Sequence, residues 1–224
     1  MMTPARDISV TAIKPDFITF TGADDGTRTE ELLAFAGRHP KTEFGILFSA
    51  SRAGTSRYPT LSWIRDVPRS LRLAAHVCGS WAATLAERGE QAEVEALIGG
   101  FQRVQINVGR APQDLGPLVS FAARLGVDVI LQSRDGNAFP AENRISWLFD
   151  ASGGAGIVPS SWPHHHEDRL VGYAGGLGPS NVAQVVADLD ATGAYWIDME
   201  SRVRNADDAF DLCLCDQVSR AVGL

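Results

Sequence analysis

The sequence predicts an α/β fold closed as one (β/α)8 barrel over residues 1–224. Three observations carry that expectation. Eight short, apolar, β-rich runs recur from one end of the 224-residue chain to the other. Helical stripes separate most of them, and strands alternating with helices imply right-handed crossovers and a parallel sheet. The first run ends in Thr21-Gly22-Ala23-Asp24-Asp25-Gly26, which lacks the G-x-G-x-x-G turn of an open dinucleotide-binding sheet. Eight strands in about 200 residues suit a closed TIM barrel near its lower size limit.

The strands are expected at Phe17–Thr21, Phe44–Ser49, Leu73–Cys78, Val104–Val108, Val127–Gln132, Ile145–Asp150, Leu170–Ala174 and Tyr195–Met199. Several are near-continuous apolar runs, as parallel strands covered by helices require. After the first strand, Asp24-Asp25 reads as a helix start, where carboxylates suit the helix dipole. The segment WAATLAERGEQAEVEALIGG reads as one or two helices stopped by Gly99-Gly100. The connections SRDGNAFPAEN and SGGAGIVPSSWPHHHEDR, after strands five and six, read as too short for a full helix. Val182, Val185, Val186 and Leu189 share one helical face, with Ser180 as the expected N-cap. Near the C-terminus Phe210, Leu214, Val218 and Ala221 make a further stripe. No Pro/Gly-rich linker divides the chain, and no internal repeat exceeds the strand–helix alternation.

Composition narrows the function classes. Hydrophobic residues are 45% and charged residues 21%, which excludes a mainly disordered chain, a collagen-like repeat and a coiled coil. The net charge of −7 offers no broad basic face, so no nucleic-acid partner is expected. No apolar run approaches the ~18 residues of a membrane span, and no membrane association is expected. The start, MMTPARDISVTAIKPDF, has no apolar signal core. Cys78, Cys213 and Cys215 form neither a disulfide framework nor a C-x-x-C pair. A cytoplasmic protein is expected, with no cofactor and no metal, acting on a small-molecule substrate as a monomer or dimer.

In such a barrel, chemistry sits at the carboxyl ends of the strands. That rule selects Thr21, His76, Cys78, Asn107, Gln132, Asp150, Asp198 and Glu200, with Gly175 and Gly176 after strand seven. Here the residues fall into a recognisable succession. Strand six and its loop read WLFD-ASGGAG, strand seven VGYAGGLGPSNVAQVV and strand eight YWIDMESRV. Upstream stand FGILFSASRAGTSRYPTLSWI and RVQINVG. The succession resembles phosphoribosylanthranilate isomerase, the Amadori-rearranging enzyme of tryptophan biosynthesis. That family ends strand six in Leu-Leu-Asp, follows it with Gly-Gly-x-Gly-Lys, and carries Gly-Gly-Leu-x-Pro-x-Asn-Val next. Gly-Gly-Leu-x-Pro-x-Asn-Val is the most specific piece.

The resemblance implies roles. Asp150 matches the general acid that opens the furanose ring, a task needing a carboxyl still protonated near neutral pH. Otherwise it is a strand-end aspartate that caps the next loop. Gly154 belongs to the loop after it. Arg57 matches the arginine of Ser-x-Arg-Tyr that holds the substrate carboxylate, for which a guanidinium fork is suited. Gly175 and Gly176 match the phosphate-binding glycines, whose N–H groups can approach an anion at a helix start near Ser180. Asp198 matches the strand-eight aspartate, as a ligand contact or a structural hydrogen-bonding group.

The departures are as informative. Thr21 stands where the family has its cysteine base, and a hydroxyl has no usable pKa near 7. Ile157 replaces the lysine of the Gly-Gly-x-Gly-Lys loop. Glu200-Ser201-Arg202 replaces Ser-Ser-Gly, leaving Ser201 and placing a carboxylate where a phosphate belongs. Asn107 stands at the family's histidine. His76, near the end of strand three, is the replacement base to consider, against a structural histidine. Cys78 is placed on the opposite strand face from His76, so that only one of the pair can act. His164-His165-His166 lacks a spaced partner and reads as a solvated loop. The expected function is a divergent isomerase or related proton-transfer enzyme on a small anionic substrate, a phosphorylated sugar among the candidates. The alternatives are a non-catalytic small-molecule-binding barrel, or a metal-dependent lyase or hydrolase using Asp150, Asp198, Glu200 and His76.

Overall fold

The computed structural model describes residues 13–224. The reading of the chain's start as no secretory signal falls mainly on residues 1–12 and lies outside the described residues. Eight strands form a closed barrel in chain order: β1 (Phe17–Thr21), β2 (Thr42–Phe48), β3 (Leu73–Val77), β4 (Arg103–Ile106), β5 (Asp128–Ser133), β6 (Ser146–Phe149), β7 (Val171–Ala174) and β8 (Tyr195–Met199). Every neighbouring pair is parallel, and β8 closes on β1 with Ile18 opposite Ile197. The chain therefore has the TIM-barrel fold. Ser49, Cys78 and Asp150 fall just past their strands, which places them on the rim rather than in the ladder.

Helices α1 (Thr29–Arg38), α2 (Leu61–Asp66), α3 (Gly79–Arg88), α4 (Ala92–Glu95), α5 (Gly116–Leu125), α6 (Val182–Asp188) and α7 (Leu212–Val222) cover the outside. Side chains alternate across each strand. On β1, Ile18 and Phe20 face the helices, while Phe17, Thr19 and Thr21 face inward. The outer layer is a large apolar core, to which β2 contributes Phe44, Ile46 and Phe48 and α1 contributes Leu32 and Phe35. The inner apolar cluster is small: Phe17, Ile130, Leu148, Ala174 and Trp196. Gly172 makes room for it, because a Cβ there would meet the Trp196 ring at 2.4 Å.

No helix follows β5 or β6. Aromatic side chains cover the barrel wall instead. Trp162 packs edge-on to Phe149 (5.7 Å) and Tyr173 (6.0 Å), and Phe139 to Tyr173 (5.4 Å). Tyr173 also donates its hydroxyl proton to the Pro163 carbonyl at 2.9 Å, tying the long β6–β7 connection down.

Three local expectations are corrected and one is narrowed. Asp24-Asp25 does not start a helix; Asp25 accepts from the Thr60 N–H and hydroxyl, and Asp24 from the Arg57 N–H, so both brace the β2–α2 loop. Asn181, not Ser180, precedes α6. The WAATLAERGEQAEVEALIGG segment is two helices, because Gly89 takes the left-handed conformation after α3 (φ 68°). In α7, Asp211 accepts from the Cys213 and Leu214 N–H groups and so sets the first turn after Phe210. Its core face is therefore Cys215, Val218, Ser219 and Val222, and Ala221 is exposed. Among the described residues no helix is long and apolar enough to cross a membrane.

Candidate active site

The carboxyl ends of the strands open into a cavity of about 400 Å³. Thr21, Arg57, His76, Cys78, Asn107, Gln132, Asp150, Gly154, Gly175, Gly176, Asp198, Glu200 and Ser201 all line it. They come from separate elements, so barrel closure alone gathers them.

At the floor the Thr21 hydroxyl donates to Asp198 Oδ1 at 2.9 Å. The other carboxyl oxygen, Oδ2, lies 3.7 Å from His76 Nε2. Gly45 of β2 permits this approach: a Cβ there would stand 2.2 Å from the Thr21 hydroxyl oxygen and 2.9 Å from His76 Nε2. Both titratable groups are buried. Burial pushes the Asp198 carboxyl up to about 8, aided by the negative charges of Glu43 and Glu200 and opposed by the Thr21 hydrogen bond. Burial pushes the His76 imidazole down to about 3, with the Arg103 charge acting the same way. Near neutral pH the floor therefore holds a neutral imidazole beside a carboxyl that keeps its proton. His76 Nε2 is buried and has no hydrogen-bond partner among the described residues.

His76 and Cys78 both line the cavity, which corrects their placement on opposite faces. Residues two apart share a face of a strand, and Cys78 continues that line past the end of β3. Burial pushes the Cys78 thiol up, and the Asn107 amide donates to its sulfur at 3.2 Å. A desolvated thiol with a raised pKa is a poor base. Tyr58 stands beside it, its phenol pushed up to about 12 chiefly by burial. Asn107 also accepts from Gln105 Nε2 at 2.8 Å, and the buried Gln105 Oε1 has no partner among the described residues.

Asp150 anchors the loop that follows it. Its carboxylate accepts from the Ser152 N–H (3.1 Å) and hydroxyl (2.9 Å), from the Gly154 N–H (2.7 Å) and from Gln132 Nε2 (3.4 Å). Gly153, Gly154 and Gly156 all adopt positive φ in this loop. The apolar neighbour of Asp150 on the inner face is Leu148; Trp147 and Phe149 pack outward.

At the rim Arg57 is held by the protein's own carboxylates. It donates to Glu200 (2.9 Å), to Asp208 (2.8 Å) and to the Ser201 hydroxyl (3.3 Å). These contacts raise its pKa, the Asp208 hydrogen bond contributing most. Arg57 has φ 70°, unusual for a residue with a Cβ, and the surrounding contacts hold it there. Gly175 and Gly176, also at positive φ, let the β7 turn pack against the backbone of Gly156–Val158. Asn181 occupies part of the donor set expected for an anion, since its side chain accepts from the Gly178 N–H at 2.9 Å and donates to the Gly176 carbonyl at 2.9 Å.

Asp150, Asp198, Glu200 and His76 share the cavity without gathering three ligand atoms as a metal ion requires. Among the described residues one trio does so, His164, His166 and Asp190, outside the mouth. Sequence reasoning missed Gly45, Gln105 and Tyr58. The available signal for Gly45 was a glycine inside an otherwise apolar strand, which marks a close approach.

No protein-family model matches the chain, and no curated protein matches it in sequence. Solved structures do match in fold. Phosphoribosyl anthranilate isomerase from Thermotoga maritima superposes with a TM-score of 0.62 at 16% identity, over 93% of this chain and 99% of that one. The enzyme of the same name from Thermus thermophilus gives 0.61 at 15% identity, over 92% and 98%. A 3-hexulose-6-phosphate synthase from Salmonella typhimurium gives 0.52 at 12%, over 94% and 98%. The chain is similar to these barrels over nearly its whole described length, and what the likeness establishes is the TIM-barrel fold.

Proposed function

We propose that this chain is a divergent phosphoribosylanthranilate isomerase-like enzyme that moves a proton at a carbon of a small anionic substrate, sugar phosphates being the class to test. The observation that carries the reading is His76 Nε2, buried, unpartnered and 3.7 Å from the Asp198 carboxyl. A neutral imidazole accepts a proton, and a carboxyl with a pKa near 8 has one to give. In this reading His76 removes the proton from the carbon beside a carbonyl or imine. Asp198 protonates that carbonyl oxygen or imine nitrogen. The enediol or enaminol then collapses as His76 returns its proton to the former carbonyl or imine carbon and the Asp198 carboxylate takes the proton of the neighbouring hydroxyl, whose oxygen becomes the new carbonyl, so that both groups are restored. Thr21 holds Asp198 Oδ1 and turns Oδ2 towards His76. Asp150 keeps the Gly153–Gly156 loop in place, so the acid role passes to strand eight.

Two observations argue against the family's own substrate being handled well. Thr21 cannot act as a thiolate does, and Glu200 puts negative charge where a phosphate would lie. The test is deuterium incorporation from solvent into a panel of aldose and ketose phosphates and phosphoribosylanthranilate, followed by NMR. Incorporation into at least one compound is expected, reduced about 10²–10⁴-fold in His76→Gln. No incorporation into any compound of the panel overturns the proposal. A non-catalytic binding barrel is the second reading, favoured by the closure of Arg57 onto Glu200 and Asp208. It predicts saturable binding without exchange.

A further inference from the structure

We infer that His164, His166 and Asp190 form a binding site for a divalent transition-metal ion on the outer wall of the barrel, remote from the mouth and independent of the proposed reaction. The ligand atoms of the three residues all lie within 4.8 Å of one another. His164 Nδ1 is 2.6 Å from Asp190 Oδ2, and His166 Nε2 is 3.5 Å from the same oxygen. The two imidazole rings stand nearly parallel, 19° apart, with centroids at 6.2 Å.

The backbone sets this arrangement. His165 pairs in a parallel bridge with Ala191, its N–H donating to the Asp190 carbonyl at 3.0 Å and its carbonyl accepting from the Thr192 N–H at 2.8 Å. Its ring is buried against the Ala194 carbonyl at 3.1 Å. Alternation along an extended segment then sends residues 164 and 166 outward together. Asp190, just before the bridge partner, reaches the same side. The sequence shows three adjacent histidines; only the bridge supplies the carboxylate.

The chemistry of the donors fits such an ion. Two imidazole nitrogens and a carboxylate suit zinc, nickel, copper or cobalt, not magnesium or calcium. His166 Nδ1 lies 2.9 Å from the Thr192 hydroxyl, so a proton on Nδ1 turns the Nε2 lone pair towards Asp190. Such an outer partner commonly orients a metal-binding imidazole. Bonds of about 2.0–2.2 Å put the ligands of a tetrahedral ion about 3.3–3.5 Å apart. His166 and Asp190 already stand at that spacing, and His164 needs to withdraw by less than about 1 Å. Solvent would complete the coordination, since all three residues are exposed. An ion there joins the helix-free β6–β7 connection to the segment entering β8.

The experiment uses the full chain, free of any histidine tag and stripped with EDTA, titrated at pH 7.5 with zinc and with cobalt. One saturable equivalent is expected, with cobalt showing d–d absorption bands. Affinity should rise from manganese through cobalt and nickel to copper and fall again for zinc. His164→Ala, His166→Ala and Asp190→Asn should each weaken binding by at least about 10-fold while keeping the circular dichroism of the parent. Cys213→Ser, which removes an exposed thiol elsewhere, should leave it unchanged. Binding that survives the three ligand variants, binding lost in Cys213→Ser, or no stoichiometric binding to the full chain overturns the assignment.

Discussion

The barrel interior contains two buried polar groups of opposite design. Towards the amino ends of the strands, Glu43 and Arg103 form an ion pair at 2.9 Å, each side chain at most 2% exposed. Thr19 and Arg72 also donate to Glu43, at 2.8 and 3.2 Å. The Arg103 guanidinium lies 3.8 Å from the Trp196 ring centroid, which faces donors that lack a hydrogen-bond acceptor. Towards the carboxyl ends, Asp198 and His76 share burial but neither charge nor a hydrogen bond. The lower group is charged and compensated. The upper one is neutral and left with a free nitrogen. Burial makes a charge costly unless it is paired, and an unpaired titratable group responds by shifting its pKa. The same desolvation therefore accompanies an ion pair at one end and two neutral groups with shifted pKa values at the other.

The largest expected effect strikes the lower group. Glu43→Gln leaves Arg103 without its compensating charge, and a loss of about 3–5 kcal/mol in urea unfolding is expected. A loss below about 1 kcal/mol would show that the ion pair is not what holds the two ends apart.

Gly45→Ala tests the upper group sterically. The new methyl would press on the Thr21 hydroxyl and on His76, costing about 1–3 kcal/mol. Unfolding measurements on this variant should show that cost, relieved in part by Thr21→Ala in the same chain, which removes the hydroxyl.

The pH dependence of stability separates the groups further. The folded pKa of Asp198, about 8, exceeds the ordinary carboxylate value of about 4, so folding retains a proton that the unfolded chain releases. Its contribution is full below about pH 4 and is lost as pH rises to 8. His76, at about 3 in the folded state, acts in the opposite sense: its contribution is full above about pH 6.5 and is lost as pH falls to 3. The two slopes oppose each other between about pH 4 and 6.5. Between about 6.5 and 8 only Asp198 acts, and stability should fall by up to about 1.4 kcal/mol per pH unit. Unfolding curves across this window should show that slope in the parent and lose it in Asp198→Asn.

The smallest effect is expected at Thr21. Thr21→Val removes one hydrogen bond to Asp198 and should cost about 1 kcal/mol. It should also raise the Asp198 pKa further, visible as a shift of the same pH window. Thr21→Cys tests the proposed likeness to the isomerases that carry a cysteine base there: a gain in phosphoribosylanthranilate turnover supports it, whereas turnover of about 1–10³ per second by the unmodified protein contradicts the reading of Thr21 as an inadequate base.

The eight strands were legible because each must present an apolar face to the helices, and that demand is written in adjacent residues such as Phe44, Ile46 and Phe48. Strand order followed from the alternation with helices, and the places of Thr21, His76, Asp150 and Asp198 in the cavity at the carboxyl ends followed from their positions at or near strand ends. The register of the opposite side of the sheet was less legible. His76 and Cys78 were split between faces although a period of two joins them, and the α7 stripe was rotated because the Asp211 cap decides where the helix begins. Other features belong to no segment. Gly45 matters only because β2 lies between Thr21 and His76. Arg57 meets Glu200 and Asp208 across more than a hundred residues of chain. Asp190 joins His164 through a bridge between two connections. Local pattern determines which residues are strand, helix and rim, since those demands act between near neighbours. Barrel closure decides which groups at the carboxyl ends meet, and burial then shifts the pKa values of Asp198 and His76.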